Sequence, residues 1–462
     1  MRRTLAIVNA IALLGVACEA STTSSPTPAP VEDGRTHVVL DTDLAFDDIM
    51  ALLYLAQRDE VVLDAVTITG TGEAHCDPGV RNARALLALG GAPDVPVACG
   101  RETPLSGSNA FPDEWRAAVD DLSMLGLPEV DGAADPRGAV GLLLDELEGD
   151  TVLLTLGPLT NVAEALRQDP SLAGRVPSFI AMAGAIDASG NTPYGVAEYN
   201  IFVDPLAARE VIEGMDVTLV PLDATEDVPF TAYFVEALER HTGTPVADAV
   251  AAMIHANEPI FTSEGYQFWD TLATALVLDP DLASWDEATV SVTASDVATA
   301  GWIDRSASGA AVRFATGVAE PLAFERDYLS TITGEEVDDV RPEPSLAVDF
   351  DGERCEVSHE RIAAGRHDVA FATEVRDSGA VVIAVDGRVG YDELAGALGA
   401  PGSEVTPRDP VIRQVEPFAF LADLTPVEMP EGTLVAVCLI GDEQRPGGGL
   451  RAWMSSPITA VG

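Results

Sequence analysis

Along the first two thirds of the chain, short apolar runs alternate with stretches in which apolar residues recur every three or four positions. The runs at 37–40, 61–69, 151–156, 178–182 and 216–222 are strand-like, and helical stretches such as 48–57, 80–89 and 159–167 lie among them. Near-continuous apolar strands separated by amphipathic helices predict an α/β domain, an open and mostly parallel sheet flanked by helices. The pattern fades near Gly334. Residues 335–345 carry Glu335, Glu336, Asp338, Asp339, Pro342 and Pro344 and read as a linker. From Leu346 the runs become short and β-rich (347–350, 369–375, 381–385, 418–421 and 434–440) and are split by Gly, Pro and Asp turns. They predict a small all-β antiparallel sandwich over 346–462, serving as an accessory domain.

The N-terminus has its own pattern. Arg2 and Arg3 precede an apolar run from Leu5 to Ala17, broken by Asn9, which is too short to span a bilayer comfortably. It reads as a cleavable signal. Small residues lead into Cys18, and Ser/Thr/Pro-rich chain follows, which resembles a bacterial lipoprotein signal with Cys18 as the lipidated residue. Gly15 departs from the larger aliphatic residue usual there, so plain secretion is the alternative. The expected organisation is a signal over 1–18, a flexible tether over 19–35, a first domain over 36–334, the linker, and the β domain. An exported chain forms disulfides, and the wide gap between Cys99 and Cys355 favours pairing Cys76 with Cys99 and Cys355 with Cys438.

Charge narrows the function classes. The chain has 462 residues with 75 acids against 26 bases, a net charge of −49 that opposes binding to phosphate backbones or anionic bilayers. Nucleic-acid binding is therefore not expected, and membrane association is expected only through a lipid on Cys18. No lysine occurs, which excludes Schiff-base chemistry and the P-loop lysine.

The strongest local signal is Asp41, Asp43, Asp47 and Asp48, placed where the first strand ends and a helix begins. That position is the carboxyl edge of the sheet, where open α/β folds place ligands. Crowded carboxylates repel one another unless protons or a cation compensate, and an all-oxygen group suits Ca²⁺ or Mg²⁺. One of the later acids also suits a helix cap.

This Asp-x-Asp-x-x-x-Asp-Asp block resembles the hallmark of the inosine-uridine preferring nucleoside hydrolases. Further blocks extend the resemblance over about residues 36–334: Thr69 to His75, Thr155 to Asn161, Met182 to Gly184, Gly190 to Pro205, and Phe268-Trp269-Asp270. It implies a nucleoside-hydrolase-like fold and a Ca²⁺-dependent ribonucleoside N-ribohydrolase. Asp43, Asp48, Asp270 and the carbonyl of Leu156 would hold the ion, with Asp43 as the base. Asp47, Glu198 and Asn200 would grip the ribose hydroxyls, with Met182 and Asn191 as pocket neighbours; two residues apart on an extended segment, Glu198 and Asn200 would face the same side. A family asparagine is missing here, and Glu73 or a neighbour would replace it at the ribose. Trp269 occupies a position where one branch has histidine, and it resembles the purine-preferring branch, in which an indole stacks on the base. The leaving-group acid is open: His75 and His255 read as structural, and Tyr194 and Tyr266 lie near the matched blocks. The expected partner is a small ribonucleoside, and an oligomer is expected. The competing reading is an exported, non-catalytic nucleoside- or calcium-binding protein on the same fold.

Overall fold

In the computed structural model, the described residues are 34–261, 266–294, 298–306, 308–342, 344–373, 375, 378–385, 390–405, 411, 417–421, 424–442 and 449–461. The expected signal and nearly all of the tether lie outside them. The first domain begins β1 (Thr36–Thr42), α1 (Phe46–Ala56), β2 (Val61–Ile68), α2 (Cys76–Leu89), β3 (Val97–Cys99) and α3 (Asp113–Asp120). It continues α4 (Gly138–Glu146), β4 (Val152–Thr155), α5 (Thr160–Gln168), β5 (Ser178–Met182), α6 (Tyr199–Val203), α7 (Pro205–Gly214) and β6 (Thr218–Val220). Then come α8 (Leu222–Thr225), α9 (Ala232–Arg240), α10 (Pro245–Ala256), α11 (Glu258–Phe261) and α12 (Trp269–Leu278). The last elements are β7 (Ala283–Val292), β8 (Ile303–Arg305), β9 (Ala310–Val318) and α13 (Pro321–Thr333).

The sheet has the order β3-β2-β1-β4-β5-β6-β9-β7-β8. It is parallel from β3 to β9, while β7 runs antiparallel to both neighbours. Alternate side chains of a strand face opposite sides, so β1 divides its residues between two cores. Val38 and Leu40 pack with Ile49, Leu52, Phe268 and Leu272, while Val39 packs with Leu153, Val162 and Val211. With both faces covered, the polar ends of β1, β4 and β5 gather at one edge of the sheet.

The second domain begins β10 (Leu346–Phe350), β11 (Cys355–Val357), β12 (Arg361–Ala363), β13 (Gly365–Thr373), β14 (Ser378–Val385) and α14 (Tyr391–Leu398). It continues β15 (Ser403–Glu404), β16 (Pro417–Leu421), β17 (Leu424–Met429), β18 (Gly432–Asp442), β19 (Gly449–Met454) and β20 (Ile458–Val461). A four-stranded and a seven-stranded sheet enclose a core that includes Val348, Val369, Leu434 and Trp453. The expectation of antiparallel pairing holds for most contacts, but β10 with β13 and β12 with β20 are parallel. A helix, α14, also packs Leu394 against Val435 and Val437 in a second small core. Both expected disulfides are present, Cys76–Cys99 and Cys355–Cys438.

The linker is fastened rather than free. Val337 and Val340 are buried in the first domain's core, and His241 bonds Glu335 and Asp339. Arg341 forms a nearly enclosed ion pair with the buried Glu325 of α13. Removing one partner of such a pair strands a buried charge, at a cost of about 3–5 kcal/mol. Arg341→Ala is therefore expected to lower unfolding stability by about that amount, measured by denaturant titration; a change below about 1 kcal/mol would contradict the assignment. Beyond the linker, the Tyr233 hydroxyl of α9 donates to Asp368 at 2.7 Å, and Arg366 pairs with Glu236 at 2.5 Å. These contacts seat the β domain on α9.

Candidate active site

The carboxyl edge is organised around the turn from β1 to α1. Leu44, fully buried, takes a left-handed φ of 59°, which costs a non-glycine residue roughly 1–2 kcal/mol. The surrounding bonds hold the turn: the Leu44 N–H donates to the Thr42 hydroxyl at 3.0 Å, and the Ala45 N–H donates to Asp48 at 3.1 Å. Asp48 thus caps α1 with one oxygen and accepts from the Thr42 hydroxyl with the other. The capping and ligand readings of these acids are compatible in one residue.

Asp43 is clamped between two glycines. A Cβ on Gly72 would fall 2.2 Å from the Asp43 Cβ, and one on Gly157 would fall 2.9 Å from it. Any larger residue at either position would push Asp43 out of place. The Glu73 N–H donates to Asp43 Oδ2 at 3.1 Å. Asp41, by contrast, lies behind the site. Its Oδ1 accepts from Thr67 at 2.6 Å and from Asn161 at 2.8 Å, and burial pushes its carboxyl up to about 7. It ties β1 to β2 and α5.

A cavity of about 620 Å³ opens above this turn. All of the residues expected from the sequence line it: Asp43, Asp47, Asp48, Glu73, Leu156, Met182, Asn191, Glu198, Asn200, Trp269 and Asp270. Among the described residues, the lining contains six carboxyl side chains and no Arg, Lys or His. Carboxylate oxygens of Asp47, Asp48 and Asp270 lie within 4.8 Å of one another. Asp270 comes from the first turn of α12, which packs on α1.

The electrostatics follow from crowding in a dry place. Burial, then the charge of Asp48, holds Asp43 well above the usual carboxylate range, and burial with the charges of Asp47 and Asp48 does the same to Asp270. Burial pushes Asp48 up to about 7 with help from Asp47, and burial raises Asp47 to about 6. Glu73 is also held high by burial and by Asp43 and Asp47. Asp270 Oδ1 is buried with no hydrogen-bond partner. An orphaned carboxylate oxygen within such a trio fits a hard divalent cation, which takes oxygen ligands and offsets the repulsion. The geometry also puts Asp47 in the acidic trio, where the sequence reading gives it only to the ribose.

The side of the cavity facing β5 corrects one expectation. Glu198 and Asn200 were expected two residues apart on an extended segment; instead Glu198 is the N-cap of α6 and Asn200 lies in that helix's first turn. Glu198 accepts from the backbone N–H groups of Asn200 at 2.6 Å, Gly184 at 3.0 Å and Ile201 at 3.2 Å, and burial pushes its carboxyl up to about 7. Asn200 Nδ2 donates to the Met182 carbonyl at 3.1 Å and the Leu156 carbonyl at 3.3 Å. Asn191 accepts from the Tyr199 N–H at 3.1 Å. Both Glu198 and Asn200 still face the cavity, but capping geometry, not strand alternation, puts them there.

The aromatic walls were largely missed. Phe111 stacks on Tyr199 with ring centroids 5.0 Å apart, Trp115 lies 5.4 Å from Tyr199, and Tyr266 meets Trp269 edge to face at 5.0 Å. Phe111 precedes α3 and Trp115 lies in its first turn, outside the strand and helix runs of the sequence reading; Trp115 is a large aromatic left 41% exposed. Next to it, Arg116 donates to the carbonyls of Glu73 at 3.1 Å and Gly70 at 2.9 Å, so α3 is tied to the Glu73 turn through backbone atoms. None of the first domain's histidines reaches the cavity: His37, His75, His241 and His255 each pair with acids elsewhere. Tyr194 is 53% exposed and outside the lining.

A mostly parallel sheet with a carboxylate-floored, aromatic-walled cavity at its carboxyl edge defines a class, α/β proteins whose site suits a cation and a small polar ligand. Residues 38–325 match the family model described as inosine-uridine preferring nucleoside hydrolase, and the chain belongs to that family. It is accordingly a ribonucleoside N-glycosidase. It is 32% identical over 254 residues to the pyrimidine-specific ribonucleoside hydrolase RihA of Photobacterium profundum, covering 53% of this chain and 80% of that protein. It is 30% identical over 274 residues to the inosine-uridine preferring nucleoside hydrolase of Leishmania major, covering 57% of this chain and 85% of that one. Among solved structures, the Bacillus anthracis inosine-uridine preferring nucleoside hydrolase aligns with a TM-score of 0.57 at 26% identity, over 64% of this chain and 99% of its own.

Proposed function

We propose that the chain is a calcium-dependent, purine-leaning ribonucleoside hydrolase, exported and held at the cell envelope through Cys18. The observation that carries this reading is the Asp47, Asp48 and Asp270 trio beside Asp43, in a cavity that no basic side chain lines among the described residues. Asp48, Asp270, Asp43 and the Leu156 carbonyl would hold the ion, and Asp47 sits close enough to share it. A bound divalent cation there supplies a positive centre that orients and acidifies a water.

Asp43, fixed by its glycine clamp, would take a proton from the attacking water as that water's oxygen bonds to the anomeric carbon. The carbon–nitrogen bond breaks and its electron pair leaves with the base. The sugar passes through an oxocarbenium-like state, which the surrounding carboxylates stabilise because they are already oriented and largely dry. Glu198 and Asn200, both locked by backbone bonds, present their remaining polar atoms to the ribose, with Asp47, Asn191 and Glu73 beside them. The base then lies between Trp269 and the Phe111, Trp115 and Tyr199 wall. A large aromatic slot of this kind favours the two-ring purines through stacking area. The pyrimidine-specific name of the Photobacterium relative is the contrary indication.

Reducing-sugar release from inosine, adenosine, guanosine and uridine, with and without a chelator, tests the whole reading. The expected result is cleavage abolished by the chelator and restored by calcium, with kcat/KM higher for inosine than for uridine. Ribonucleoside binding without turnover would instead support the non-catalytic alternative. For the envelope location, mass spectrometry of the mature N-terminus should find acylated Cys18; an unmodified residue beyond position 18 would indicate plain secretion.

A further inference from the structure

The family match ends at residue 325, so the β domain lies outside it, yet that domain is fastened to the helix that backs one wall of the cavity. We propose that the β domain is a brace for that wall, with Tyr233, Glu236, Arg366 and Asp368 as positioning residues, a role that rests on the glycosidase reading above.

The helix in question, α9, presents two faces. Tyr233, Glu236 and Arg240 recur at helical spacing on the outer one, while Phe234, Ala237 and Leu238 are fully buried on the inner one. On the outer face the Tyr233 hydroxyl donates to Asp368 at 2.7 Å and Arg366 donates to Glu236 at 2.5 Å, and both partners belong to β13. Strand positions two apart are separated by roughly 6.7 Å and helix positions three apart by about 5–6 Å, so the two pairs form side by side. The linker holds the other end of the helix. Arg240 donates to the Asp339 carbonyl at 2.5 Å, and His241 bonds Glu335 and Asp339 at 2.8 and 3.0 Å.

The inner face leads to the cavity. Phe234 meets Phe268 edge to face at 4.8 Å and Phe230 at 5.2 Å, and Phe230 lies 5.0 Å from Phe261. Phe261 ends α11, whose Pro259 and Ile260 line the cavity, and Phe268 is the N-cap of α12, directly before Trp269. The Phe268 N–H also donates to the Val228 carbonyl at 3.1 Å, which ties the start of α12 to the chain entering α9. Close-packed rings pass a displacement on rather than absorb it. A shift of α9 therefore reaches Pro259, Ile260 and Trp269, the wall expected to face the base. The acids of the floor are held by other means: Asp43, Asp47 and Asp48 stand at the turn from β1 to α1, and the α12 that carries Asp270 packs on α1. The brace thus acts on the grip on the substrate and leaves the cation site in place.

The test uses the full chain. Arg366→Ala combined with Asp368→Ala removes both partners offered by β13. On the ribonucleoside cleaved best, KM should rise about tenfold, the scale of two lost hydrogen bonds, while kcat changes less than about threefold and calcium uptake stays the same. Amide exchange in residues 258–261 and 266–269 should quicken while β1 stays protected. Asp368→Asn keeps an acceptor for the Tyr233 hydroxyl and should keep the wild-type KM. Unchanged KM and exchange in the double variant, an Asp368→Asn variant as impaired as the double one, or equal losses of kcat and calcium uptake overturn the proposal. Wild-type protein that cleaves no ribonucleoside overturns the glycosidase reading instead, and the exchange comparison then decides the brace alone.

Discussion

Asp43→Asn is expected to lower kcat on inosine by about 10³-fold or more, near the upper range for a general base, while the protein stays folded and retains part of its calcium uptake. Asparagine matches aspartate in shape, so it keeps the acceptor for the Glu73 N–H at 3.1 Å and fits the space left by Gly72 and Gly157. It cannot take a proton from water. Asp47 and Asp48 are held in the first turn of α1, so neither moves into its place. Undiminished turnover in this variant would remove Asp43 from the mechanism.

Asp270→Ala is expected to do comparable damage for a different reason. It removes the acid delivered by α12 and leaves Asp43, Asp47, Asp48 and the Leu156 carbonyl to hold a cation without it. Metal-based charge stabilisation amounts to several kcal/mol in transition states, and each 1.36 kcal/mol is a factor of ten, so activity should fall at least about 10³-fold. The same substitution should make the chelated protein more stable than chelated wild type, because one buried acid repelling Asp47 and Asp48 is gone. Differential scanning of both proteins with and without calcium reads this directly. A variant that keeps calcium-dependent stabilisation would show that Asp270 is not a ligand.

Much of this site is legible in the sequence because its chemistry sits at element boundaries. The strand at residues 37–40 and the helix after it are marked by apolar runs, and β1 and α1 fall there within a few residues. The acids between them are therefore placed at the carboxyl edge before any coordinates are known. Asp270 is legible only through the Trp-Asp block before an apolar helix, since no local pattern connects α12 to α1. The aromatic wall was not legible. Phe111 and Trp115 lie on a segment whose course is set by tertiary contacts such as the Arg116 bonds to Gly70 and Glu73, which leave no periodic trace. Glu198 shows a subtler failure, because strand and N-cap geometry both place residues 198 and 200 on one side. In the second domain, alternation gave strands but could not give their partners, and the parallel pairings of β10 and β12 depend on contacts distant in sequence.

The acid group also sets a pH dependence whose sign is fixed. Asp47 and Asp48 have carboxyls raised from 3.8 to about 6 and about 7 in the folded, metal-free protein, chiefly by burial. The folded state therefore binds more protons than the unfolded chain across that interval, and metal-free stability falls as pH rises from about 4 to about 7. A cation that replaces those protons is favoured as pH rises. Isothermal titration of calcium into the metal-free protein at pH 5.5 and pH 7.5 tests the central claim most directly. The account predicts one high-affinity calcium per chain at pH 7.5, weaker uptake at pH 5.5, release of protons on binding, and loss of the signal in Asp270→Ala. Catalytic turnover with no calcium uptake at either pH would contradict it.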